Sequence, residues 1–244
     1  MITEKKEIFL PTFDTYTYQS RQEATEVYSA IPNYDAITMA SVYQKAFGEA
    51  PWYERYCCTT CGNFLKEPSI CPQCASEVIQ KAYPAGELVN EYFPKMLGEY
   101  APGMLTLAKN GGKIVGFTTG GMVALENLVD RKYKENPFLL ADITNRFEID
   151  PTTIVFYDNE TCINPAVQQM GLGRELSKQR IIVAKELGTE YICGRTINIP
   201  WLSLKERQLT EAGYDFTEFI PDGETYQIDS VLRRFYFAKL KIKA

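Results

Sequence analysis

The chain has 244 residues, 45% hydrophobic and 23% charged, the balance of an ordinary globular protein that can bury a core without disulfides. Its formal net charge of -5 argues against a nucleic-acid partner, and no apolar run reaches the roughly 18 residues of a membrane span. Histidine is absent, which excludes His-based triads and His-ligated catalytic metals and leaves acid–base work to carboxylates, tyrosine, lysine, cysteine or water.

The opening MITEKKEIFLPTF has no apolar run of signal-peptide length, so the expected compartment is the reducing cytoplasm. Residues 1–32 carry scattered aromatics without a period, and a strand is expected near Thr25–Ile31. NYDAITMASVYQKAFGEAPW reads as a helix capped by Asn33 or Asp35 and stopped by Pro51. Ile37, Ala40, Val42 or Tyr43, and Phe47 form its apolar stripe.

The stretch CCTTCGNFLKEPSICPQC, 57–74, holds five of the seven cysteines. Cys58-x2-Cys61 and Cys71-x2-Cys74, nine residues apart, have the spacing of a closed, four-thiolate structural zinc site. Gly62 and Pro72 sit where tight turns aim backbone amides at the sulfurs. Two local disulfides or thioredoxin-type redox chemistry are the alternatives, and Cys57 could replace Cys58 as a ligand. Cys162 and Cys193 lie in strand-like runs and read as small buried hydrophobes.

A second helix fits AGELVNEYFPKMLGEY, which Pro94 must kink or divide. Leu105–Lys109 and Lys113–Phe117 flank Asn110-Gly111-Gly112 as a hairpin. Residues 125–152 are expected to be helical at LENLVDRKY and PFLLADITNRF, and 153–163 to form a long strand. A helix closed by Gly188, the strand YICGRT and a helix with Pro200 in its first turn follow. Two last strands are joined around Pro221-Asp222-Gly223. The order predicts a mixed α/β (α+β) sheet without internal repeats.

The most telling junction is INPAVQQMGLGRE, where Gln168-x-x-Gly171-x-Gly173 opens a helix. Free amides and the positive end of the helix dipole can hold a phosphate there, with Arg174 as a further cation. The competing reading is that the glycines only let helix and sheet pack closely.

In its context this motif resembles the acetyl-CoA-binding motif of the GNAT N-acetyltransferase superfamily, in which a strand and a hydrophobic-x-Pro step (Ile163-Asn164-Pro165) precede Gln-x-x-Gly-x-Gly. YICGRTIN, EAGYDF, the NGGK hairpin and AFGEAPW extend the likeness over about two-thirds of the chain. It implies a single GNAT-like domain over 1–244, with a mostly antiparallel central sheet flanked by helices, a zinc-knuckle insert at 57–76 and a helical insert at 125–152 near the acceptor site.

The resemblance also implies roles. Backbone groups of Cys162 and Ile163 would pair with the pantetheine amides of acetyl-CoA. Amides from Gln168, Gln169, Met170, Gly171, Leu172, Gly173 and Arg174 would hold its pyrophosphate, and Asn198 would lie near the thiol end. Glu160 is the candidate base, acting through water, with Asp158, expected on the same strand face, in reserve. The tyrosine that commonly protonates the leaving thiolate would fall at Leu209, so the general acid is unassigned. Phe47, Pro51, Trp52 and Tyr53 could line the acceptor pocket or cap the core. The implied partner is a small-molecule amine or a peptide, with a homodimer compatible with this pattern; a non-catalytic acyl-CoA-binding module is the competing class.

Overall fold

A computed structural model describes residues 9–133, 137–220 and 233–241; within them the chain first forms strand β1 (Thr12–Tyr18). Ser20 then accepts the Glu23 N–H at 3.2 Å, and the Glu23 carboxylate accepts the Gln19 N–H at 2.8 Å. This reciprocal cap starts helix α1 (Arg21–Ser29), which buries Ala24 and Tyr28 one turn apart. The strand expected near Thr25–Ile31 is therefore mostly helix: the cap and the four-residue burial spacing outweigh the β-branched Thr25 and Val27.

Helix α2 (Asn33–Gly48) starts behind Pro32 with no side-chain cap. Asp35 is buried and pairs instead with Lys109 at 3.0 Å, so neither Asn33 nor Asp35 caps. The buried stripe runs through Ala36, Met39, Ala40, Tyr43 and Phe47, whereas Ile37 is exposed. Strands β2 (Tyr56–Cys58), β3 (Phe64–Leu65) and β4 (Ile79–Lys81) build a small separate sheet of order β3-β2-β4.

The Pro94 helix is divided as its sequence requires. A single turn, α3 (Ala85–Glu87), widens into a π turn over Leu88–Tyr92, and α4 (Phe93–Glu99) resumes with Pro94 in its first turn. Proline there removes an N–H and crowds the preceding carbonyl, and the wider turn accommodates both. The π turn directs Tyr92 toward the sheet centre.

Strands β5 (Gly103–Asn110) and β6 (Lys113–Ala124) meet at Gly111 and Gly112, both at positive φ, +56° and +78°, as the hairpin turn demands. Helices α5 (Leu125–Lys132) and α6 (Pro137–Phe147), β7 (Ile154–Ile163), α7 (Leu172–Glu186), β8 (Tyr191–Thr196) and α8 (Ile199–Glu211) follow. Strands β9 (Tyr214–Phe219) and β10 (Arg234–Leu240) close the chain; the turn expected at Pro221-Asp222-Gly223 lies outside the described residues.

The main sheet has the order β1-β5-β6-β7-β8-β10-β9, and among the described residues only β7 and β8 run parallel. Helices α7 and α8 cover one face, around Phe156, Ile192 and Tyr236, and the remaining helices cover the other, around Phe117, Tyr157 and Cys193. No helix among the described residues is long and apolar enough to cross a membrane.

One irregularity sets the side-chain map. Thr119 opposes Glu160 and Gly121 opposes Tyr157, so Asp158 and Asn159 together face the single Gly120. This bulge inserts one residue into β7 and reverses the alternation. Asp158 thus points to the α7/α8 face while Tyr157 and Glu160 share the other, which corrects the expectation that Asp158 and Glu160 lie on one face.

Candidate functional site

The parallel pair is brief: β8 meets β7 only from Phe156–Ile192 to Asp158–Gly194. Beyond Asp158 the strands part, and among the described residues the β7 edge from 159 to 163 has no strand on that side. A cavity of about 410 Å³ fills the fork, with Asp158, Glu160, Thr161, Ile163 and Asn198 in its walls.

At the mouth of the fork lies the glycine turn. Gln169 and Gly171 are left-handed, with φ of +66° and +84°, and no side chain caps α7. The Gln168 N–H bonds Pro165 C=O at 3.3 Å and the Arg174 N–H bonds Gly171 C=O at 3.0 Å. Among the described residues the amides of Gln169, Met170, Gly171, Leu172 and Gly173 make no such turn bond, and those from Gly171 onward belong to a helix start, where the first N–H groups have no internal partner. The Arg174 guanidinium lies beside Gly171. The two glycines have different reasons: Gly171 needs its positive φ, while a Cβ on Gly173 would come 3.1 Å from Ile163 and 3.3 Å from Trp201. Close packing and an amide-lined turn therefore coexist here.

Cys162 is fully buried against α2, and its backbone pairs with Phe117 on β6. Asn198 caps α8 by accepting the Trp201 N–H at 3.0 Å and lines the cavity.

Glu160 enters the cavity from the bulged strand. Tyr43 donates to Tyr92 at 3.0 Å, and Tyr92 donates to Glu160 at 3.4 Å. Burial pushes the Glu160 carboxyl up to about 7, against the pull of Lys132 and Arg195. A carboxylate tuned to that range exchanges protons readily near neutral pH. The wall before it is aromatic: Tyr43 and Phe47 from α2, Trp52 from the next loop, Phe64 from the small sheet, and Tyr83 and Tyr92. Tyr83 donates to the buried Glu54. Pro51 lines the cavity too, whereas Tyr53 packs behind it with Ile197 and Phe64 under Lys66. Among the described residues of the segment 125–152, only Lys132 reaches the wall.

The sulfurs of Cys58, Cys61, Cys71 and Cys74 lie within 4.8 Å of one another, with Cys58–Cys74 at 3.6 Å and Cys61–Cys71 at 3.5 Å. A tetrahedral zinc, with sulfurs about 2.3 Å away, sets them about 3.8 Å apart, so the four thiols fit such an ion. Two similar knuckles shape the cluster: Gly62 N–H bonds Cys58 C=O and Ala75 N–H bonds Cys71 C=O, each at 2.8 Å. Burial alone would raise the Cys58 thiol, but the N–H groups of Cys61 and Thr60 outweigh it and bring it down to about 6. Cys57 stands outside the cluster, and none of the seven cysteines forms a disulfide.

Sequence reasoning missed Lys132, Arg180, Arg195 and Tyr236, which line the cavity from four different elements. The packing of α5 and α7 on the sheet, together with the pairing of β8 and β10, brings them together.

No family model matches the sequence, and no curated protein matches it. Solved structures do resemble it. A mosquito arylalkylamine N-acetyltransferase like 5b is 12% identical, covers 94% of this chain and 100% of its own, and has a TM-score of 0.49. The ribosomal-protein-S18-alanine N-acetyltransferase of Escherichia coli is 12% identical over 96% and 97%, with a TM-score of 0.46. An acetyltransferase of Salmonella typhimurium, solved with its cofactor acetyl-CoA, is 14% identical over 96% of both chains, with a TM-score of 0.45. The mostly antiparallel sheet flanked by helices, whose parallel pair parts at Asp158, agrees with the GNAT-like architecture that the resemblance of the motif implies.

Proposed function

We propose that this chain is an acetyl-CoA-dependent N-acetyltransferase acting on a primary amine of a small molecule. One observation carries the reading: a forked parallel pair has outward amides at its mouth and a buried, high-pKa carboxylate beside it.

The pantetheine arm lies along the open β7 edge at Ile163, the Cys162 backbone being turned to Phe117 on β6, and the amides of residues 169–173 receive the pyrophosphate. The acceptor sits against the aromatic wall as an ammonium, whose ordinary pKa is near 10, so it must lose a proton before it attacks. Glu160 takes that proton through water. The amine nitrogen then bonds to the thioester carbon and sheds its second proton to water, while the C–S bond breaks and its electron pair leaves on sulfur. Holding the two reactants in line supplies most of the acceleration. Zinc on Cys58, Cys61, Cys71 and Cys74 would be structural, bracing the wall that holds Phe64.

The test is thiol release from acetyl-CoA across a panel of small amines and peptides. Small amines should stimulate release, and Glu160→Gln should lower kcat by about 10²-fold or more with acetyl-CoA binding unchanged. Stimulation by peptides alone would redirect the acceptor assignment. Binding of acetyl-CoA with no acceptor stimulating release would leave a carrier-binding module and end the enzyme reading.

A further inference from the structure

The fork's apex holds a group of buried charges that the mechanism above does not use. Asp158, the last β7 residue paired with β8, is ion-paired to Arg180 of α7 and Lys205 of α8, and it accepts a hydrogen bond from the Tyr236 hydroxyl of β10. All four side chains are almost wholly buried, with Lys205 at 0% exposure. Two cations share one carboxylate, so the cluster carries one positive charge in excess. Arg180 Nη2 finds no hydrogen-bond partner among the described residues, although Arg180 lines the cavity. Excess positive charge out of water is costly until an anion forms beside it.

The sheet is built to bring the Tyr236 hydroxyl to that point. Tyr236 opposes Gly194 on β8, and Gly194 is the partner of Asp158 on β7. A Cβ at Gly194 would fall 2.5 Å from the Tyr236 oxygen. The glycine thus vacates the space through which a β10 side chain reaches under β8 to the fork. The α8 position at which the resemblance implies a tyrosine is Leu209, buried in the core.

We propose that Tyr236 is the proton donor to the departing thiolate, with Lys205 and Arg180 as positioning residues that hold Asp158 and offset the sulfur's negative charge. This rests on the acetyltransferase reading above. The open β7 edge spans residues 159–163, about 16 Å at 3.3 Å per residue. A pantetheine arm laid along it from the glycine turn ends at the apex. When the amine nitrogen bonds to the acyl carbon and the C–S pair moves onto sulfur, the Tyr236 O–H proton passes to sulfur. A Lys205 ammonium proton then returns to the phenolate oxygen across the shared Asp158 carboxylate. The neutral lysine is recharged from solvent; nitrogen sheds two protons in all, one to Glu160 before attack and one to water after it, so each turnover releases one proton net.

The groups that face this relay are Asp158 from β7, Arg180 from α7, Lys205 from α8 and the Cys193 thiol from β8. Burial, with Asp158 adding to it, keeps the phenol protonated far into the alkaline range. Burial and the neighbouring Arg180 bring Lys205 down to about 7, against Asp158, so the ammonium is a stronger acid than an ordinary thiol near 8.5. Burial would raise the Asp158 carboxyl, but Arg180 and Lys205 outweigh it and hold it ionised.

The experiment compares wild type, Tyr236→Phe and Gly194→Ala, with calorimetry of acetyl-CoA binding, steady-state rates and pH profiles. Tyr236→Phe keeps the ring stacked on Phe216 at 5.5 Å. It should bind acetyl-CoA as wild type does, keep the KM values within about twofold, and lose about 10²-fold in kcat. The wild-type kcat should fall as pH rises past the point where Lys205 loses its proton, and the variant should lose that alkaline limb. Gly194→Ala, which displaces the hydroxyl without touching the tyrosine, should reproduce the kcat loss. A Tyr236→Phe enzyme with wild-type kcat and an unchanged alkaline limb overturns this inference alone. No heat from acetyl-CoA on the wild type overturns it together with the acetyltransferase reading.

Discussion

Glu160 shows how burial prepares a residue for chemistry. Its carboxyl titrates near 7, so the ionised base accumulates as pH rises through that value. The rate with a fixed amine should therefore climb from pH 5 toward 7, and Glu160→Gln should flatten this limb. A wild-type rate independent of pH over that range would remove Glu160 from the role. The same group bears on stability with the opposite sign. Its folded pKa lies above the unfolded value of about 4.3, so its contribution is complete below that value and is lost as pH rises to about 7. At the turn, Gly171→Ala must place a side chain at φ +84°, at a cost of about 1–2 kcal/mol, and would tilt the amides beside it. Its Kd for acetyl-CoA, read by calorimetry, should rise more than its Tm falls. An unchanged Kd would show that these amides do not hold the ligand.

Among the elements, α1 rests on its first turn. Ser20→Ala removes the acceptor for the Glu23 N–H and should cost about 1 kcal/mol, or about 2–4 °C in Tm for a chain of this size. A shift below 0.5 °C would show that packing of Ala24 and Tyr28 alone holds the helix. The Ser20 to Glu23 spacing that carries this cap was passed over, and residues 1–32, with scattered aromatics and no period, suggested a strand near Thr25–Ile31 instead. The hairpin, the long strand and the Pro94 break were legible because glycine pairs, β-branched runs and a missing N–H act locally. The bulge at Asp158 and Asn159 was not. It depends on what β6 offers opposite, and Gly120, where a Cβ would fall 2.6 Å from Phe156, is part of that offer. A one-residue insertion in pairing leaves no mark on hydrophobic alternation in so buried a strand.

At the scale of the molecule, the site is assembled from both faces of the sheet and from the small cysteine sheet. Its glycine turn, its carboxylate and its four sulfurs were readable from short motifs. Its cations and Tyr236 were not, since they come from four elements separated by long stretches of chain. The small sheet is tied at both ends: Ala82 N–H bonds Arg55 C=O at 2.9 Å, and Gln44 of α2 donates to Tyr83 C=O at 2.7 Å. Metal analysis of the purified chain should find about one zinc per molecule, and Cys61→Ser with Cys71→Ser should abolish it. A folded preparation without metal, all its thiols titratable, would count against the clip.

The short tether carrying Phe64 has one more consequence. Chelation would slacken the amine-facing lining while leaving the seven strands intact, so heating a stripped sample should give two transitions. The earlier one, seen in tryptophan fluorescence through Trp52, would report the lining. The later one, at the temperature of the untreated protein, would report the sheet. On the proposed function, such a protein would still grip the thioester carrier while failing to select what the carrier acylates.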